Sequence, residues 1–334
     1  MPGIGSNVKV AAGMVVRTPD EQERTDEWTG RASFCVPYRV KQTTSVETSA
    51  NPQPEPKQLM GVELKNPVSD RLREFAFRNR VLVGPNPEMV RKHTFLGQTL
   101  ALCGAGPSLD PKHVRGTTHV WACNSALPWL IQQGVEVSAG VGIDQSPGLL
   151  REWSDPPDVT YYVATTCDPE LVGHLIDHSR RVVFMHNYVA WSEYADDEFG
   201  HYNNDWPPAY MLGTGATVVP RVIGLAAWMG FERIDVHGAD CALGDGDIAH
   251  ANGETAVQAF TNPVLMGGEI NGRNYRTRPD LLMAAVDLAR AVQSNPGHVR
   301  LIGDTLAVAL QAKPDAYLDE VVRRLKPGEI PTGA

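Results

Sequence analysis

The chain has 334 residues, 42% hydrophobic and 21% charged, with 30 Lys+Arg against 39 Asp+Glu and a formal net charge of −9. That apolar share excludes a wholly disordered chain, and the length predicts one large domain or two small ones. The acidic balance, with no polybasic run, argues against general nucleic-acid coating and against an anionic-membrane partner.

The five cysteines, Cys35, Cys103, Cys123, Cys167 and Cys241, contain no C-x-x-C pair and lie mostly inside apolar runs. They read as small buried residues of a reducing compartment. The N-terminal residues lack the apolar stretch of a signal peptide, and the apolar residues 218–231 are broken by Arg221 and too short to span a bilayer. The expectation is a soluble, cytoplasmic protein without a membrane partner.

Residues 1–66 read as a weakly ordered arm. Residues 43–57 (TTSVETSANPQPEPK) have almost nothing to bury, and a short strand is expected near residues 32–40. A single domain is expected over residues 67–330. It opens with a helix from Val68, capped by Ser69 or Asp70, and a second helix over residues 86–93.

Short apolar runs then alternate with helical stretches. Strands are expected at residues 99–103, 119–123, 135–143, 160–164, 181–185 and 233–237, with a further one around 299–302. Helices are expected at 126–133, 168–178, 218–229, 280–294, up to Leu310, and at 316–325. Strands separated by crossover helices, unalternating and rich in Val and Ala, predict a doubly wound α/β fold with a mostly parallel, Rossmann-like sheet. Two long polar stretches, residues 191–210 and 244–278, read as loops over the carboxyl ends of that sheet, where open α/β sheets bind ligands.

Several residues stand at those strand ends. The run Gly104, Ala105, Gly106, Pro107 and Ser108 follows the first strand, and its amides and the Ser108 hydroxyl can cradle a phosphate. A plain tight turn accounts for the same residues. Asn124 and Ser125 end the second strand and Asp144 the third; each suits a ligand crevice or a helix cap. Gly213, Thr214, Gly215, Ala216 and Thr217 form a second small-residue loop opening a helix, suited to a phosphate, a ribose hydroxyl or close packing.

The sixth strand ends in Gly238, Ala239 and Asp240, and Asp245, Asp247 and His250 follow. A strand-end carboxylate and a histidine can supply a general base for a hydroxyl. The Asp245-x-Asp247 spacing fits Mg²⁺ held against phosphate oxygens, or a solvated acidic loop. Trp191, Tyr194, Tyr202 and Trp206 suit either stacking on a sugar or base or anchoring of their own loop.

With these residues in place, GAGPSLD, ACNSALPWLIQQGVEVSAGVGIDQS and GTGATVVPRVIGLAAWMGFERIDVHGADCALGDGDIAHA resemble one superfamily in order and spacing. It holds the archaeal 6-hydroxymethyl-7,8-dihydropterin pyrophosphokinases and the motility-associated flagellin glycosyltransferases, and is similar to the bacterial sialyltransferases with a single modified Rossmann domain. The resemblance covers about residues 97–255. It implies a nucleotide-donor transferase, with Gly104, Gly106, Pro107 and Ser108 matching the nucleotide loop. Asn124, Asp144 and the loop from Thr214 to Thr217 match positions lining the donor crevice. Asp240 matches the polar strand end, and His250 the catalytic histidine of the sialyltransferase-like members, across an intervening loop of different length and composition. Residues 1–66 have no counterpart.

The leading expectation is therefore a glycosyltransferase that moves a sugar from a nucleotide sugar to an acceptor hydroxyl, with His250 or Asp240 removing the proton. The alternative is Mg²⁺-dependent transfer of diphosphate from ATP to a hydroxymethyl group, and a third reading is a nucleotide-binding module without turnover. The partners expected are a small-molecule nucleotide donor and a hydroxyl-bearing acceptor, with homo-oligomerisation left open.

Overall fold

The computed structural model describes residues 67–187, 206–213, 215–259, 265–270, 273–311 and 326–327. The arm at 1–66 with its expected strand, the expected helix at 316–325, and Trp191, Tyr194, Tyr202 and Thr214 lie outside the described residues.

Strands form at β1 (Thr99–Cys103), β2 (His119–Cys123), β3 (Ala139–Gly142), β4 (Thr160–Ala164), β5 (Arg181–Asn187), β6 (Met211–Leu212) and β7 (Arg233–His237), then β8 (Met266–Ile270), β9 (Arg273–Thr277), β10 (Val299–Leu301) and β11 (Lys326–Pro327). The helices are α1 (Pro67–Val83), α2 (Pro111–Val114), α3 (Ala126–Gln132), α4 (Gly148–Glu152), α5 (Pro169–Asp177), α6 (Val218–Trp228), α7 (Ala256–Ala259), α8 (Pro279–Ser294) and α9 (Leu306–Leu310).

Eight strands make one sheet in the order β10-β7-β1-β2-β3-β4-β5-β6, and every pairing within it is parallel. The chain winds outward from β1 to β6, then returns to the other side of β1 as β7. This is the doubly wound α/β fold expected. Its order reverses between β1 and β7, which opens a crevice at their carboxyl ends. The last four residues of β1, β2 and β4 are all buried, because helices cover both faces.

Packing explains the small residues of β3. A Cβ on Gly140 would sit 2.7 Å from Leu127 Cδ2 of α3, and one on Gly142 would sit 2.9 Å from the Trp153 ring. The helices therefore press onto the strand itself. Only residues 139–142 of the expected 135–143 pair as a strand; Val135 N–H instead donates to Leu130 O, and Ser138 bonds Val120 through its hydroxyl.

Two further expectations are corrected. Residues 86–93 are not a helix: Met89 makes a parallel bridge to Phe184, and Val90 N–H donates to Phe184 O at 2.9 Å. Pro85 and Pro87 explain this, since each removes a donor and biases the preceding residue away from helical angles. Residues 244–278 are not a bare loop either. They contain α7 and the antiparallel pair β8–β9, to which β11 adds a third strand. The Gly- and Asn-rich hairpin lacks the apolar alternation that marks strands in a sequence.

Four described cysteines, Cys103, Cys123, Cys167 and Cys241, are buried and unpaired, as the sequence suggested, and burial pushes each thiol above its ordinary pKa. Among the described residues no helix is long and apolar enough to cross a membrane.

Candidate functional site

The glycine-rich turn after β1 lies against the turn after β7, and backbone bonds lace the two together. Gly104 N–H donates to His237 O at 2.9 Å, Gly106 N–H to Gly238 O at 2.8 Å, and Leu109 N–H to Gly106 O at 3.1 Å. Ser108 N–H donates to the Asp240 carboxylate at 3.1 Å. The glycines serve this contact: a Cβ on Gly104 or Gly106 would lie 2.7 Å from Gly238 O. Gly238 itself has φ +58°, a left-handed conformation that favours glycine. The turn thus spends most of its amides on protein acceptors, and an anion already lies at Ser108.

That anion is Asp240. It is 8% exposed, and burial raises its pKa while the bonds from Ser108 pull it back. The geometry makes it a clamp of the Gly104–Ser108 turn, through the bond that its Oδ2 accepts from Ser108.

Asn124 and Asp144 meet at the ends of β2 and β3. Asn124 Nδ2–H donates to Asp144 Oδ2 at 2.7 Å, and Asn124 O accepts from the Trp153 indole at 3.1 Å. Asn124 has φ +49° and a buried Oδ1 without a hydrogen-bond partner. Neither side chain caps a helix. Ser125 holds the N-cap position of α3 without a side-chain bond. Desolvation raises the Asp144 pKa, while the Asn124 bond and the charge of Arg221 oppose the rise.

Arg221 projects from α6 toward these strand ends. Its Nε donates to Gly213 O at 2.8 Å, and its Nη2 bonds Asn187 Oδ1 at the end of β5. Gly215 makes room for it: a Cβ there would lie 2.7 Å from Arg221 Cγ. Thr217 is the N-cap residue of α6 but forms no side-chain cap. Pro220, at the third helical position, lacks the N–H to which a threonine cap commonly bonds. The first turn of α6 also borders the glycine-rich turn, where a Cβ on Gly104 would lie 3.1 Å from Val219 Cγ2.

His250 completes the crevice from above. Ala251 N–H donates to Ala105 O at 2.9 Å, and Ala105, Ser125, Ala126, Trp129 and His250 enclose a small hollow. His250 Nδ1 lies 2.8 Å from Glu254 Oε2. Glu152 on α4 faces both groups of carboxylates. Glu152 is solvent-exposed, but the protein crowded around its carboxyl and the charges of Asp144 and Glu254 push its pKa up to about 7.

On the other side of the glycine-rich turn is a polar cleft of about 900 Å³, lined by Ser108, Asp240, Asp247, Arg273, Arg276 and Thr305 among others. Here Arg276 pairs with Asp247 and Arg273 with Asp304. Asp247 is therefore committed to a guanidinium. Among the described residues no group of three or more His, Cys, Asp or Glu could hold a metal ion. In the Asp245-x-Asp247 spacing, Asp247 forms an ion pair with Arg276.

The structure brings Gly104–Ser108, Asn124, Ser125, Asp144, Gly215, Thr217, Gly238, Asp240 and His250 to one end of the sheet. Other candidates go elsewhere. Trp206 is 3% exposed, packs on Phe184 and donates its indole N–H to Ala76 O at 3.3 Å, so it anchors its loop. His186, a reserve histidine candidate just past the strand expected at 181–185, is buried, and desolvation pushes its pKa down to about 4, which keeps the ring neutral. Arg221, Glu152 and Glu254 were missed. Arg221 read only as a break in an apolar stretch. Glu254 carried a signal in the spacing His-x-x-x-Glu.

No curated protein matches the chain. Among solved structures, the MAf glycosyltransferase from Magnetospirillum magneticum AMB-1 is similar, with a TM-score of 0.51 and 15% identity over 78% of this chain. The match spans 42% of that protein's length, and at this identity it speaks for a shared fold. The family model described as 6-hydroxymethylpterin diphosphokinase MptE-like matches residues 79–246, just over half of the sequence. The chain belongs to the MptE-like family.

Proposed function

We propose that this protein is a nucleotide-donor transferase whose preferred reaction moves a sugar from a nucleotide sugar to an acceptor hydroxyl. The observation that carries this reading is the crevice between the two glycine-containing loops. There the uncapped start of α6 and the Arg221 guanidinium supply positive potential beside the Asn124–Asp144 pair. The donor's phosphate lies against α6 and Arg221. Its ribose hydroxyls and base face Asp144 and the unpartnered Asn124 Oδ1. The acceptor hydroxyl enters at the hollow beside Ala105 and Trp129, and His250 accepts its proton as the glycosidic bond forms and the nucleotide leaves. Asp240 holds the Gly104–Ser108 turn in place rather than acting on substrate.

The carboxylates Asp144, Glu152 and Glu254 favour a sugar, because hydroxyls donate to carboxylates whereas a triphosphate would add negative charge beside them. The second reading, diphosphate transfer from ATP to a hydroxymethyl group, is favoured by the family description. Mg²⁺ would there be held largely by the phosphates themselves. Mass spectrometry separates the two after incubation with a panel of nucleotide sugars and with ATP, each with Mg²⁺ or a chelator. Release of nucleoside mono- or diphosphate from a nucleotide sugar supports the first reading. AMP formation from ATP alone supports the second, and turnover of neither leaves a binding module.

A further inference from the structure

We propose that Glu254 is a positioning residue that fixes the tautomer and aim of His250. This deepens the transferase reading above and rests on it for the role of the imidazole. The 2.8 Å contact between His250 Nδ1 and Glu254 Oε2 assigns the proton to Nδ1, because an ionised carboxylate accepts and does not donate. In the neutral ring the lone pair then belongs to Nε2, the atom that would take a proton from an acceptor hydroxyl.

The surrounding backbone is built to hold this pair. Ile248 and Thr255 form an antiparallel bridge, Ala249 N–H donates to Glu254 O at 2.7 Å, and Gly253 N–H to His250 O at 3.0 Å. Asn252 Oδ1 accepts from Glu254 N–H at 2.9 Å. The turn therefore brings residue 254 beneath residue 250 without help from either side chain. Ala251 N–H then ties the turn to Ala105 O, so the imidazole is fixed relative to the glycine-rich turn and the start of α3. A solvent-exposed pair four residues apart would gain little from such scaffolding. Here the two side chains are only 25% and 34% exposed and stand at the mouth of the crevice.

The test uses the full chain with ¹⁵N-labelled histidine. Long-range ¹H–¹⁵N spectra report which ring nitrogen carries the proton, and His250→Asn assigns the ring among the ten histidines. Wild type should show His250 as the Nδ1–H form at alkaline pH, and Glu254→Ala should return it to the Nε2–H form common in free histidine. Glu254→Gln keeps a carbonyl acceptor and should retain the Nδ1–H form. The backbone bonds of the turn do not involve the Glu254 side chain, so an unchanged circular-dichroism melt is expected for both variants.

In the nucleotide-sugar assay, Glu254→Ala should lower kcat by about 10–100-fold with KM for the nucleotide sugar within twofold of wild type, and Glu254→Gln should restore part of it. An Nε2–H ring in wild type, or an Nδ1–H ring that survives in Glu254→Ala, overturns the proposal. A tautomer that switches in a protein that turns over no nucleotide sugar upholds the pairing and overturns the glycosyl-transfer reading instead.

Discussion

Two loops of this protein look alike in sequence and differ in what their glycines do. Gly104-Ala-Gly-Pro-Ser108 follows β1, and the loop from Gly213 to Thr217 follows β6; each is small-residue rich and leads into a helix. In the first, the glycines let two backbones touch, and the amides go to His237, Gly238 and Asp240. In the second, Gly215 lets an arginine stem pass, Ala216 N–H donates to the Asp287 carboxylate at 3.3 Å, and α6 begins without a side-chain cap. The lesson is that glycine marks crowding, whereas anion binding depends on donors left over after crowding is satisfied. By that measure the uncapped start of α6 is where the transferase proposed above would hold its donor phosphate.

The contrast is easiest to break with matched alanines. Gly106→Ala places a methyl 2.7 Å from a carbonyl oxygen in a backbone contact that cannot yield, and beside the Asp240 carboxylate. It should lower stability by about 2–3 kcal/mol in urea unfolding. Gly215→Ala crowds the flexible Arg221 stem and otherwise meets Pro220 at an ordinary 3.6 Å, so it should cost under about 1 kcal/mol while displacing the guanidinium. Equal destabilisation by both substitutions would erase the distinction between the loops.

Arg221→Gln probes the charge directly. Hydrogen bonds to an ionised group contribute about 1.5–3 kcal/mol, so affinity for a nucleoside diphosphate should fall about 10–100-fold. Isothermal titration with UDP, GDP, CDP and ADP, each beside its nucleoside, reads this out. The preferred diphosphate should weaken while its nucleoside, which lacks the phosphates, binds as before. A parallel loss for nucleoside would mean that Arg221 acts by holding Asn187 and Gly213 rather than by meeting phosphate.

Much of this could be read from the sequence, and the limits have physical causes. The buried strands were legible because runs such as Leu100–Cys103 and Val120–Cys123 are apolar on both faces, and Pro169 and Glu170 marked the opening of the helix expected at 168–178. The hairpin β8–β9 was not legible, since its glycines and arginines pair through backbone with little apolar alternation. At the site, polar strand ends such as Asn124 and Asp144 stood out by position. Arg221 did not, because its partner Asn187 is 34 residues away and only the return of the chain across the sheet brings them together. The role of Asp240 was hidden for the same reason: Ser108, its partner, is 132 residues earlier.

The smallest effect expected in stability is also the sharpest test of the second loop. Thr217 caps nothing, and Pro220 removes the third-position amide that a threonine would use. An aspartate at 217 can reach the second-position amide of Val219 and places negative charge at the positive end of α6. Thr217→Asp should therefore stabilise the fold by about 0.5–1 kcal/mol, read as a higher urea midpoint. The same carboxylate would occupy the potential proposed for the phosphate, so nucleoside diphosphate affinity should drop while the fold gains. A ligand that caps the helix in place of a side chain would account for the open amides at this helix start. If the variant is more stable and binds diphosphate as tightly as before, the anion does not sit at α6, and the Gly104–Ser108 turn, with Asp240 moved aside, becomes the phosphate site after all.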